Sequence, residues 1–192
     1  MDRQECSRTV MQGLYCPSMK KRAAREKLTR ERPPKETPAK GQAGFAVANT
    51  EFASRVRESF NRQGLMKLLG AELVELTAGQ ATIRVPFRAE LTQQHNYFHA
   101  GVSGAIADSA CGYAAYTLMP ADSSVLTVEY KLNLLAPADG DQLTARARVI
   151  RSGRTLKICT ADVHTRKNGK DVHCATMLAT IMCLPGKSDR AR

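Results

Sequence analysis

A chain of 192 residues, 43% of them hydrophobic, suits one domain of ordinary size with an appendage, and no stretch reads as a secretory signal or an unbroken membrane span; the smoothest, residues 100–119, is interrupted by Asp108. Its six cysteines (Cys6, Cys16, Cys111, Cys159, Cys174, Cys183) form no CxxC pair or Cys/His cluster and its four histidines no HExxH pattern, which excludes a disulfide framework and metal-dependent hydrolysis of that type and points to a reducing cytoplasm. The net charge of +11 would suggest nucleic acid or an anionic surface, but residues 1–44 hold 11 Lys/Arg and 5 Asp/Glu, so more than half of the excess lies in the appendage.

In chain order, residues 20–44, "KKRAAREKLTRERPPKETPAKGQAG", are charged, contain three prolines and have almost no large apolar side chain. Such a segment cannot bury enough surface to offset the entropy of ordering, so residues 1–44 are expected to be a flexible basic extension. It is either a solvated tail or the product of an upstream start, with Met19 as the alternative; an arm for RNA, DNA or acidic lipid is disfavoured because no aromatic residue lies between residues 16 and 44 to stack on a base. It is also too rich in acids for a transit peptide.

Phe52, Val56 and Phe60 recur at helical spacing, which predicts a short amphipathic helix ending near Gly64. "AELVELTAG" and "QATIRVPF" read as two strands joined at Ala78 and Gly79, followed by a loop, "RAELTQQHNYF". A helix over about 101–118 comes next, with Ile106, Ala110, Tyr113 and Thr117 forming a stripe to pack on a sheet. Asp108 falls on another face, where its helical neighbours Gly104, Ala105, Cys111 and Gly112 are all small and leave room for a ligand or a second chain.

Four strands close the chain. In "VLTVEYKLNLLAP", Leu126, Val128, Tyr130, Leu132 and Leu134 alternate with polar residues, the period of a half-buried strand. "DQLTARARVIR" repeats the alternation, a turn at Gly153 leads into "TLKICTADVHT", and Asn168-Gly169 signals a hairpin into "DVHCATMLATIMCL". The order helix, two strands, long helix, four strands predicts an α+β fold with an antiparallel sheet and one central helix.

"HAGVSGAIADSACGYAA" followed by "VLTVEYKLNLLAPADGD" resembles the PaaI-type acyl-CoA thioesterases of the hotdog fold, in which an antiparallel β-sheet wraps a long central α-helix. The similarity covers about residues 52–184, and it divides the chain into the extension 1–44, a hotdog domain 45–185 and a flexible tail 186–192. By this resemblance Asp108 is the catalytic acid, acting as general base or nucleophile. His99, Ala100 and Gly101 match the family's His-Gly-Gly turn, whose middle residue offers its backbone N–H to the thioester carbonyl; Ala100 stands where glycine is usual. Gln93 matches a side-chain amide that polarises that carbonyl, and Thr127 a hydroxyl that bonds the acid. His99 is read as structural or orienting rather than as a proton carrier.

The resemblance also implies an acyl-CoA substrate of small or medium, aliphatic or aromatic acyl group. It needs no metal and no cofactor, coenzyme A being part of the substrate, and no membrane. The family forms dimers or dimers of dimers, with the acid of one subunit facing the turn of its neighbour across the interface. Arg154 and Lys131, basic residues read as exposed, are candidates to meet the phosphates of coenzyme A. The rivals are a non-catalytic acyl-CoA-binding module on the same fold, a nucleic-acid binder led by the basic extension, and a hotdog dehydratase, whose usual pairing of a catalytic His with an acid is not evident here.

Overall fold

The computed structural model describes residues 44–187 and 189; the expected basic extension 1–44 lies outside them save for Gly44, as does the expected tail 186–192 save for residues 186, 187 and 189. Helix α1 (Phe52–Arg62) buries Val56, Ser59 and Phe60, the spacing expected of its apolar face. It ends two residues before Gly64 because Gln63 adopts an extended backbone (φ −67°, ψ 111°), and a second short helix, α2 (Gly64–Leu69), starts at once. Gly70 stops it in the left-handed region at φ 66°, where glycine carries no Cβ penalty, with its N–H on the Lys67 and Met66 carbonyls. Sequence periodicity misses α2, since "GLMKLL" is too short and too uniformly apolar to show a polar face.

Strands β1 (Glu72–Thr77) and β2 (Gln80–Pro86) form the expected hairpin. Gly79 turns it at φ 75° and donates its N–H to Thr117 Oγ1 at 2.7 Å, while Thr117 donates to Ala114 O. One hydroxyl thus ties the hairpin tip to the end of the central helix, α3 (Ala100–Tyr116). The long strands β3 (Ser123–Leu134), β4 (Gln142–Ser152), β5 (Leu156–Lys167) and β6 (Lys170–Pro185) follow. Asn168 (φ 51°) and Gly169 (φ 76°) make the predicted tight turn between the last two, as a two-residue hairpin with both central residues left-handed requires.

All pairings are antiparallel, and the six strands lie in the order β1-β2-β4-β5-β6-β3. The chain leaves β2, crosses through α3 and returns at the far edge of the sheet as β3. Helix α3 packs against β2, β3, β4, β5 and β6. Its whole predicted stripe, Ile106, Ala110, Tyr113 and Thr117, is buried, as are Ala107, Cys111, Ala114 and Ala115. This is the expected α+β hotdog architecture, a sheet around one central helix.

Arg55 of α1 closes the same end of α3. Its guanidinium lies 4.0 Å over the Tyr116 ring and donates to the carbonyls of Tyr116, Met119 and Pro120, satisfying acceptors that a helix C-terminus leaves open. Beyond β6, Gly186 N–H donates to Asp122 O at 2.7 Å and Asp189 pairs with Arg62 at 2.6 Å.

The structure corrects the reading of β3. Register shifts between Thr127 and Glu129, so Val128 is bulged and the faces exchange there. Val125 and Thr127 before the bulge, and Tyr130, Leu132 and Leu134 after it, pair with the buried Cys183, Ile181, Ala179, Met177 and Ala175 and share their side of the sheet. The strand is not half-buried in the single chain, however. Leu126, Val128, Tyr130 and Leu134 are more than half exposed, because β3 is an edge strand with nothing beyond it among the described residues.

Candidate active site

His99 precedes α3 with an extended backbone (φ −63°, ψ 138°), and its ring Nδ1 accepts the Gly101 N–H at 2.9 Å. A side chain capping its own helix in this way must leave Nδ1 unprotonated, which puts the ring proton on Nε2. The Val102 N–H goes to His99 O. Ala100, the first helical residue, is left with an N–H that has no hydrogen-bond partner among the described residues, at the helix end where the dipole favours negative charge. The departure from glycine here costs nothing: Ala100 is helical, and the residues of positive φ other than glycine are Asn96 and Asn168.

Gly101 is needed beside it. A Cβ there would lie 2.9 Å from His99 Nδ1, so any side chain would push the capping ring away. Around this turn, Leu65, Leu69, Leu91, Val102 and Ala105 line a mainly apolar cleft of about 380 Å³ together with Glu90, Thr92, His99 and Gly101. Gln93 is not part of that lining. Its side-chain oxygen accepts the His95 N–H and its backbone N–H bonds Tyr97 O, while its side-chain N–H donors have no partner among the described residues.

Asp108 stands two turns further along α3, half-buried, and lines a separate cleft of about 350 Å³ with Gln63, Ser109, Gly112, Tyr113, Val125, Leu126 and Thr127. The Thr127 hydroxyl donates to its carboxylate at 2.7 Å, the pairing expected of these two residues. The bulge at Val128 follows at once, so Thr127 is the last residue of β3 in the register that faces α3 before the faces exchange. Among the described residues Asp108 enters no ion pair. Burial raises its carboxyl pKa above the usual range, and the Thr127 hydrogen bond pulls the other way. The neighbouring Cys111 thiol is raised far more, mainly by burial, and stays an inert thiol.

Arg154 and Lys131 line neither cleft. Arg154 is in the turn between β4 and β5, and Lys131 pairs with Leu178 on the face of the sheet turned away from α3. The site residue that sequence reasoning missed is Gln63. Its Oε1 lies 3.4 Å from Ser109 Oγ, and it reaches the Asp108 cleft because the helix breaks at that position. No local pattern marks it, since a glutamine after an arginine at a helix end looks like solvated surface.

The family that matches this sequence is the thioesterase superfamily, over residues 95–172. A solved thioesterase family protein from Silicibacter pomeroyi is 45% identical, with 70% of this chain and 99% of that one covered and a TM-score of 0.70. A Halobacterium salinarum protein named as a candidate esterase is 27% identical over 63% of this chain and 83% of its own. The PaaI protein from the phenylacetic acid degradation operon of E. coli shares the fold at 20% identity, with 71% and 95% of the two chains covered and a TM-score of 0.63. The chain belongs to the thioesterase superfamily, and hydrolysis of an ester or thioester is the class of activity that membership gives it.

Proposed function

We propose that the protein hydrolyses the thioester of a small or medium acyl-CoA, aliphatic or aromatic. The observation that carries this reading is the Asp108 carboxylate, partly desolvated, without a counter-ion among the described residues and held by Thr127 at the edge of an open cleft. A charge kept in such surroundings is a poor choice for stability and a good one for a base. Asp108 removes a proton from water as the water oxygen bonds the acyl carbon, and the C–S bond then breaks to release the free acid and coenzyme A, whose sulfur takes up the proton. Alternatively the carboxylate itself attacks, giving a mixed anhydride that water opens. In either route the Ala100 N–H, aided by the amide of Gln93, holds the carbonyl oxygen as it gains charge; one such donor is worth about 3–4 kcal/mol in comparable enzymes.

The two halves of this machinery do not meet within one chain. Ala100 and Asp108 are eight residues apart along the helix, a rise of about 12 Å, whereas the donor must lie about 3 Å from the carbonyl oxygen and the base about 3 Å from the attacking water or from the acyl carbon itself. The reading therefore requires a second copy, supplying its Asp108 to the first copy's Ala100 turn. Edge strand β3, twelve residues long with Leu126, Val128, Tyr130 and Leu134 exposed, is the kind of surface that associates. A homodimer, alone or doubled into a tetramer, fits it. No described helix is long and apolar enough to cross a membrane.

The test is release of free thiol from a panel of straight-chain and aryl acyl-CoAs. Asp108→Asn should cost roughly 10²–10⁴-fold in kcat while leaving substrate affinity in place. A wild-type protein that binds these esters without turning any over would instead be an acyl-CoA-binding module.

A further inference from the structure

We infer that Asn96 is a positioning residue for the reaction: its left-handed backbone closes a small hairpin that engages the side-chain oxygen of Gln93 and leaves the amide N–H donors, not that oxygen, for the substrate carbonyl. The inference rests on the hydrolase reading above, in which Gln93 serves as a donor, and deepens it by naming what orients that donor. The backbone from Leu91 to His99 folds back on itself. His99 N–H donates to Leu91 O at 2.8 Å, Thr92 and Phe98 form an antiparallel bridge, and Gln93 N–H donates to Tyr97 O at 2.9 Å. Leu91 and Phe98 are buried, and Phe98 meets Phe87 edge to face, so the stem of the hairpin is fixed to the core and ends on the residue that precedes Ala100.

The loop of this hairpin is Gln94, His95 and Asn96. Asn96 N–H returns to Gln93 O at 3.0 Å, and Asn96 itself stands at φ 61°. A three-residue hairpin loop of this form needs a left-handed residue at its last position, where glycine is favoured, asparagine is accepted and a β-branched residue is strained. The Asn96 side chain is exposed and makes no hydrogen bond among the described residues, so its contribution is the backbone angle. The consequence falls on Gln93. In the closed loop the His95 N–H donates to Gln93 Oε1. A carboxamide whose oxygen is engaged in this way has its two N–H donors left to offer. In an open loop, rotation about the last side-chain bond would present the oxygen as readily as the N–H donors, and an oxygen beside a carbonyl that is gaining negative charge repels it.

The experiment measures kcat and KM for an acyl-CoA in Asn96→Gly, Asn96→Ala and Asn96→Val, each made in the wild-type protein and in Gln93→Ala. Asn96→Gly should stay within about twofold of wild type, and kcat should fall through Asn96→Ala to a loss of roughly tenfold or more in Asn96→Val, with KM nearly unchanged, following the ease of the left-handed backbone. In Gln93→Ala the same substitutions should cost nothing further, because the group they orient is gone. Should Asn96→Val fail to fold, Asn96→Ala carries the comparison. Equal losses in both backgrounds, as a merely structural loop would give, overturn the inference, and so does full activity in Gln93→Ala. NMR of the Gln93 side-chain amide, assigned by its disappearance in Gln93→Ala, reads the orientation without turnover. An amide that is ordered in the wild type and Asn96→Gly and mobile in Asn96→Ala and Asn96→Val supports the positioning role even in a protein that hydrolyses no acyl-CoA, where the hydrolase reading alone falls. The same order in every variant overturns the positioning role and leaves the hydrolase reading in place.

Discussion

Asp108 is a charged group in surroundings that favour its neutral form, and this sets both its chemistry and its cost. Its folded pKa lies above the ordinary carboxylate value. Proton linkage then runs in one direction: the folded state is favoured where the group is protonated, and that advantage is lost as pH rises through the folded pKa. Asp108→Asn should therefore raise the melting temperature at neutral pH, with the gain shrinking to nothing well below the carboxylate range, while activity collapses. A melting curve unchanged at neutral pH would show that the carboxylate is not desolvated in the assembled protein. Thr127 supplies the opposing effect, so Thr127→Val should raise the Asp108 pKa further and move the acid limb of the kcat/KM profile to higher pH; Thr127→Ser, which keeps the donor, should leave it in place. In the sequence Asp108 is conspicuous as one acid in a small, apolar run. Thr127 is not, because a β-branched residue on a strand needs no other reason to be there, and only the 2.7 Å bond distinguishes it.

At the scale of elements, the start of α3 shows how one helix end divides its free N–H groups. The His99 ring takes that of Gly101 and leaves that of Ala100, a division that the residue types alone do not settle. The loop between β3 and β4 depends on a different glycine. A Cβ on Gly140 would lie 2.3 Å from Thr165 Oγ1 and 2.4 Å from the Arg166 carbonyl oxygen, the same carbonyl that accepts the Asp141 N–H at 2.7 Å. Backbone cannot retreat as a flexible side chain can, so Gly140→Ala should cost about 2–3 kcal/mol in denaturant unfolding. A cost below about 0.5 kcal/mol would mean that the loop shifts freely. Helices α1 and α3 and the hairpins are readable because their periods are long or their turns carry Asn-Gly or Gly. Helix α2 and the bulge at Val128 are not, since six residues show no period and a bulge leaves none.

For the whole molecule, the decisive geometry is the separation along α3 between the oxyanion donor and the base. Ala100 occupies the first helical position, where proline is compatible with the helix, and His99 before it already has the extended backbone that proline requires of its predecessor. Ala100→Pro should thus delete one N–H with little loss of stability and lower kcat by about 10²–10³-fold. Mixing refolded Ala100→Pro and Asp108→Asn chains in equal amounts should restore about a quarter of wild-type activity, because half of the dimers pair unlike chains and each of those holds one intact site. No recovery on mixing would place donor and base in the same subunit and remove the shared-site reading.

The sequence by itself determined what depends on near neighbours in the chain: the central helix with its solitary acid, the presence of four long strands after it, and the tight turns at Gly79 and Asn168-Gly169. These follow from backbone preference and from the period with which apolar residues recur. Tertiary structure decided the strand order that sends β3 to the edge, the bulge that exchanges its faces, the Thr127 bond to Asp108, and the presence of Gln63 in the Asp108 cleft. Each of these joins residues far apart in the chain, 46 positions for Gln63 and Ser109. Such contacts are fixed by how whole elements pack together, which no local pattern records.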